Sequence, residues 1–186
     1  MSADWVTAFA TVGTFLVILA SAIAALAQLR HMRGGNQIIA LTECRETLES
    51  AEFRAAQNFV TFELPKRLKD PEESPRIVTV PFVDEYQAIG TVANFFESMG
   101  LFVKNGIIDK DIACDFWYFV ILRNWRAVAP VIVYARSIVS PNLWTNFEYL
   151  ASLAARFEAE HPMTYPRGSQ RMPEDRSLID SFEARG

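Results

Sequence analysis

WVTAFATVGTFLVILASAIAALAQL, running from Trp5 to Leu29, contains no charged side chain. As an α-helix it extends about 37 Å, enough to cross a hydrocarbon core of roughly 30 Å with some tilt. A core helix of a soluble domain rarely stays uncharged for so long, because one edge of it meets water. The stretch therefore predicts a transmembrane helix over 5–29, with residues 1–4 as a short non-cytoplasmic end. Trp5 falls where an interfacial aromatic sits. Arg30, His31 and Arg33 follow the apolar run at once, whereas Asp4 precedes it. The positive-inside rule then places everything after Arg33 in the cytoplasm, as a single-pass protein of the inner membrane.

One competing reading is a secretory signal, since Ala25-Leu26-Ala27 before Gln28 resembles a small-x-small processing site and cleavage there would release a periplasmic protein. Against it stand the lack of a basic n-region and an apolar run longer than the usual h-region of about 7–15 residues. Small residues four apart, Ala20/Ala24 and Ser21/Ala25, suit close helix approach, but no strict G-x-x-x-G is present and a lone lipid-facing helix explains them equally.

Outward from the anchor, Gly34-Gly35-Asn36 reads as a hinge, making 30–36 a basic flank that uncouples the span from a domain over 37–160. Leu41, Cys44, Leu48, Ala51, Ala55, Asn58 and Phe62 then step by three and four, predicting a helix to about Thr61 that packs on the domain rather than forming a dimeric stalk. PKRLKDPEESPRIVTVP predicts a surface loop over 63–81, because its prolines forbid a continuous helix. Ile89, Val92, Phe96, Met99 and Val103 form one stripe of a helix over 83–105. Gly106 supplies a left-handed end to it, with Ile107 contacting Phe102, and Asp109 caps the next helix.

That helix, 110–136, is apolar on two sides, Ile112, Phe116, Phe119 and Val120 on one and Trp117, Ile121, Trp125, Val128 and Ile132 on the other. Pro130 predicts a kink or break in it. A last helix over 142–160 carries Trp144, Phe147, Leu150, Leu153 and Phe157, followed by a proline-containing tail, 161–186, with a short helix at 173–183 as one option. The expected fold class is all-α: one N-terminal transmembrane helix followed by a small bundle of about four helices.

The chain has 186 residues, of which 51% are hydrophobic and 22% charged, so it can bury a real core. A net charge of -4 and a pI near 5.3 argue against nucleic acid as a partner. Cys44 and Cys114 lie in separate helices and read as reduced, partly buried thiols, and with His31 and His161 far apart no metal site is expected.

Glu97, Asp109, Asp111, Asp115, Arg123, Arg126 and Arg136 are the polar groups nearest the aromatic positions, and a carboxylate pair there is a conceivable acid/base device. Helix capping and cross-bundle ion pairs explain the same residues more simply. Trp117, Tyr118, Trp125 and Trp144 suit an inter-helix pocket or, more ordinarily, a core. The cluster singled out is Glu97, Trp117, Trp125, Arg136, Trp144 and Glu148. Phosphate-loop, dinucleotide, zinc-protease and serine-hydrolase motifs are all missing, so no catalytic residue, cofactor or metal is assigned.

NFFESMGLFVKNGIID (Asn94 to Asp109), Phe116, Trp125, Arg136 and WTNFEYLA (Trp144 to Ala151) together resemble a family of bacterial single-span membrane proteins carrying the domain of unknown function 4760. The resemblance implies a membrane-tethered helical domain in bacteria and provides no catalytic residues to carry over. The expectation is a non-enzymatic interaction or sensor domain, with the lipid bilayer and a protein partner or a second copy as its contacts. The alternative is a lipid or small-molecule binder, or an enzyme, using a pocket near Trp125 and Glu97.

Overall fold

In the computed structural model the described residues are 3–77, 82, 84–161, 168–170 and 172–175, with the side chains of 3–6, 8, 29–31, 33 and 85 also left aside. Trp5, Arg30 and Arg33, read above as setting the membrane orientation, therefore lie outside the described side chains, as does most of 173–183. Among the described residues the secondary structure is all helical.

Helix α1 spans Ala3–Glu49 without interruption. The glycine hinge is thus corrected, because Gly34, Gly35 and Asn36 lie within the helix. Glycine costs a helix about 1 kcal/mol relative to alanine, and no neighbouring group offers these peptides better partners. The break comes instead at Ser50, whose hydroxyl donates to the Thr47 carbonyl at 2.8 Å and accepts from the Phe53 N–H at 3.2 Å. That capping serine opens α2 (Ala51–Asn58). It also shifts the apolar stripe. Cys44 is buried and Leu41 and Leu48 pack against the core, but Ala51, Ala55, Asn58 and Phe62 are exposed, and Phe53, Ala56, Val60 and Leu64 are buried in their place.

The expected loop over 63–81 is largely helical where it is described. A π-helical turn over Phe59–Glu63 leads into α3 (Leu64–Arg67), and α4 covers Ser74–Ile77. Pro65 stands in the first turn of α3, where its missing N–H has no intrahelical role. Proline here opens a short helix rather than excluding one.

A 3₁₀ turn, Asp84–Tyr86, precedes α5 (Gln87–Lys104), in which Ile89, Val92, Phe96, Met99 and Val103 are all buried as the periodicity predicts. Gly106 adopts φ +68°. The Ile107 N–H donates to the Phe102 carbonyl at 2.9 Å and the Gly106 N–H to the Val103 carbonyl at 3.1 Å, completing a Schellman end. Ile107 itself is turned outward, 43% exposed, while the next residue, Ile108, is fully buried.

Asp109 then caps α6 (Lys110–Ile138), its carboxylate accepting from the N–H groups of Asp111 and Ile112. Pro130 does not break α6, since it lies on the exposed side where the carbonyl it leaves unserved can meet solvent. The two-sided apolar pattern is corrected as well. Ile121, Val128 and Ile132 are buried, but Ile112, Phe116 and Phe119 face outward, because α7 and α5 cover only one side of this helix. Helix α7 (Thr145–Glu160) buries Phe147, Leu150, Ala151, Leu153 and Ala154 against α5 and α6.

Candidate functional site

Four of the six singled-out residues, Glu97, Arg136, Trp144 and Glu148, converge where α7 begins. The approach depends on Gly100. A Cβ there would lie 2.1 Å from the Asn146 carbonyl oxygen, so only glycine lets α5 come this close to the first turn of α7. One turn earlier, Glu97 reaches across the gap. Its Oε2 accepts from the Phe147 N–H at 2.8 Å and its Oε1 from the Asn146 side-chain amide at 2.7 Å. The α7 residue before the helix makes no side-chain cap, so a carboxylate from α5 takes the part of the N-cap.

Arg136, in the last turn of α6, closes the other side. Nε donates to the Leu143 carbonyl at 2.7 Å, Nη2 to the Trp144 carbonyl at 3.2 Å, and Nη1 to Glu148 Oε2 at 2.6 Å. The guanidinium sits at the negative end of α6 and Glu148 at the positive end of α7, so both helix dipoles favour the pair.

Trp144 is the strained member. Its backbone is left-handed, φ 54° and ψ 39°, which a bulky residue rarely adopts and which costs about 1–3 kcal/mol. Several contacts hold it there. The indole N–H donates to Asn94 Oδ1 at 2.8 Å, the carbonyl takes Arg136, and the ring stacks on Phe82 at 6.1 Å between centroids.

Trp125 joins through packing, its ring standing edge-on to Phe147 at 5.1 Å, and Phe147 stacks in turn on Phe96 at 4.9 Å. Trp117 does not belong to the cluster. It lies about 12 Å further down the α6 axis, against Phe116. Asn94, Asn146 and Gly100 are essential to the arrangement yet carry no local signal, since each acts on a partner more than forty positions away in the chain.

Chemically, the arrangement fastens helices. Both oxygens of Glu97 and all three nitrogens of the Arg136 guanidinium face protein partners, and Phe147, fully buried, packs against Trp125. Three of the other polar candidates also have partners in the fold, although the Arg123 Nε is buried without a hydrogen-bond acceptor. Asp109 caps α6, Arg126 pairs with Glu158 at 3.5 Å, and the Arg123 guanidinium lies 5.9 Å from the Phe119 ring. Hollows occur elsewhere. One of about 260 Å³ lies between the start of α6 and the end of α7, lined by Lys110, Asp111, Cys114, Arg156 and His161 among others. Burial, together with the nearby Asp111 carboxylate, pushes the Cys114 thiol up to about 11. Cys44 is raised too, by burial and then Glu43, so neither thiol is an activated nucleophile. Among the described residues no group of three or more His, Cys, Asp or Glu side chains is placed to hold a metal.

A family model described as a domain of unknown function (DUF4760) matches residues 15–153. No curated protein and no solved structure matches the chain.

Proposed function

Since the chain belongs to the DUF4760 family, we propose that it is a membrane-anchored helical interaction or sensor domain, held by one span at the cytoplasmic face of a bacterial membrane and without catalytic activity of its own. The observation that carries this reading is Phe9–Gln28, a helical stretch long and apolar enough to cross a membrane, none of which is buried by the rest of the chain. Within it the Thr11 and Thr14 hydroxyls donate to the Thr7 and Ala10 carbonyls of their own helix. Polar groups satisfied inside the helix suit lipid surroundings.

Two points weigh against release by cleavage after Ala27. The bond lies in the middle of one continuous helix, and the family match begins at residue 15, well before it. The non-enzymatic part of the reading is supported by the polar cluster, whose groups are occupied in holding α5, α6 and α7 together.

The test is alkaline extraction of membranes from expressing cells, followed by a reporter fused after Gly186 that is active only in the cytoplasm. Retention in the membrane with an active reporter is expected. Release into the alkaline supernatant overturns the anchor, and a silent reporter overturns the orientation. Intact mass of the purified chain decides processing, because a mass lacking residues 1–27 means a cleaved signal.

A further inference from the structure

Helix α5 returns along the base of α1. Glu43, Cys44 and Thr47 share a hollow with Phe95, Ser98, Met99 and Phe102, whereas Gln37 shares one with Lys104, Gly106, Ile108 and Lys110. Earlier positions of α1 thus meet later positions of α5, so the α5–α6 turn is the end of the bundle nearest the apolar window. Gln37 follows the last residue of that window, Gln28, by nine positions, which is about 14 Å of helix. The interfacial layer on one side of a bilayer is about 5–8 Å thick. What remains is about 6–9 Å, comparable to the reach of the longer side chains on the turn.

At and beside this end of the bundle apolar side chains are exposed among charged ones, with Lys110, Asp111, Arg156 and Glu160 lining the hollow at the start of α6. Ile107 and Leu101 are exposed, and so are Ile112 and, at 68%, Phe116. Two isoleucines follow Gly106, and the core uses only Ile108. Lys104 and Lys110 flank the turn, where their stems can lie along apolar surface with the ammonium groups among headgroups. Asp109, Asp111 and Asp115 stand at the same end, so apolar contact, not attraction to anionic lipid, is the driving term.

We propose that the α5–α6 turn, led by Ile107, rests in the headgroup layer of the membrane that α1 crosses, bringing this end of the domain to the lipid surface. The proposal rests on the anchor reading above. A second copy fits this surface less well. Two chains inserted the same way round are related by an axis along the membrane normal. Because α6 runs antiparallel to α5, and α5 to α1, the two copies of α6 would run side by side in the same sense. Arg123 and Arg126, in the same outward stripe as Phe116 and Phe119, would then oppose their own copies.

Nitroxide labels at I107C, F116C, V133C and V17C, one per full-length chain in phosphatidylcholine nanodiscs, test this by collision with oxygen and with a water-soluble nickel chelate. Each position is exposed, so none of the changes removes a core side chain. Cys44 and Cys114 stay in place, since both are buried and take label poorly at neutral pH. The expected result is Val17 in lipid, and Ile107 several-fold less accessible to the chelate, with more oxygen contact, than Phe116 and Val133, which lie progressively farther up α6. Chelate access at Ile107 equal to that at Val133, with Val17 in lipid, overturns this proposal alone. Protection of Ile107 from both reagents means protein covers it and also overturns the lipid assignment. Val17 open to the chelate overturns the anchor itself.

Discussion

Two helices of this chain, through Phe9–Gln28 in α1 and over Lys110–Ile138 in α6, are each long and apolar enough to cross a membrane by length and composition alone. Their surroundings are opposite. None of the α1 window is buried in the structure, whereas a third of the α6 window is. The distinction lies in pattern. Of the charges on α6, Lys110, Asp111, Asp115 and Arg126 are exposed, away from the side that carries Ile121, Val128, Ile132 and Ala135 into the core. The α1 window has no charges to segregate and no preferred face. Apolarity draws a helix out of water, and periodicity decides whether protein or lipid receives it.

The strongest way to break this comparison is to give each helix a charge. Leu16→Arg with Leu19→Arg opposes insertion by about 5–7 kcal/mol, at about 2.5–3.5 kcal/mol per charge, and should move the chain out of alkaline-washed membranes. Val133→Arg on the outer side of α6 should leave it there. If both release the chain equally, the two helices do not differ as described.

Next in size is the contact between α5 and α7. Gly100→Ala should lower stability by about 3 kcal/mol through overpacking against the Asn146 carbonyl, read as a fall in the thermal midpoint by circular dichroism. Gly35→Ala in α1, where an added Cβ meets nothing within 4 Å, should instead stabilise by about 0.5–1 kcal/mol. A loss at both sites would show that other groups enclose α1 at Gly35.

Glu97→Ala should cost about 2 kcal/mol by leaving the Phe147 N–H without its acceptor. Glu97→Gln should cost about half as much, since one oxygen remains to accept. Urea midpoints with an unchanged slope would measure both, and equal losses would mean that the charge, not the acceptor, matters.

The last effect is on pH dependence and is nil near neutrality. The Cys114 thiol is raised to about 11 from an ordinary 9.0. Its protonated form is therefore favoured by the fold. Stability on this account is whole below about pH 9 and declines as pH rises toward 11, because the unfolded chain sheds the proton first. Cys114→Ala should flatten that part of the urea-midpoint profile, and an unaltered slope would remove Cys114 as its cause.

Features set by one or two residues are legible in the sequence. Gly106 and Asp109 mark the end of one helix and the start of the next, and the stripe of α5 is buried residue for residue. Balances between neighbours are harder to read. Gly34-Gly35 resembles a break, but two glycines weaken a helix without offering its peptides another partner, whereas the Ser50 hydroxyl does offer one. Phe116 and Phe119 read as core because period shows that a face is apolar and not what covers it. At the candidate site, residue type suffices to single out Glu97, Arg136, Trp144 and Glu148. Their roles come from Asn94, Gly100 and the first turn of α7, brought there by tertiary folding that no local spacing records.

The unbroken course of α1 sets an angular bearing. Eighteen residues make five turns of an α-helix at about 3.6 residues per turn, so Ala22 and Leu26 share an azimuth with Ala40 and Cys44, the α1 residues buried against the domain. The side of the Phe9–Gln28 stretch that lies in line with the bundle is therefore fixed by residue count. One residue inserted between Gln28 and Gln37 would swing the whole domain by about 100° around the axis of α1.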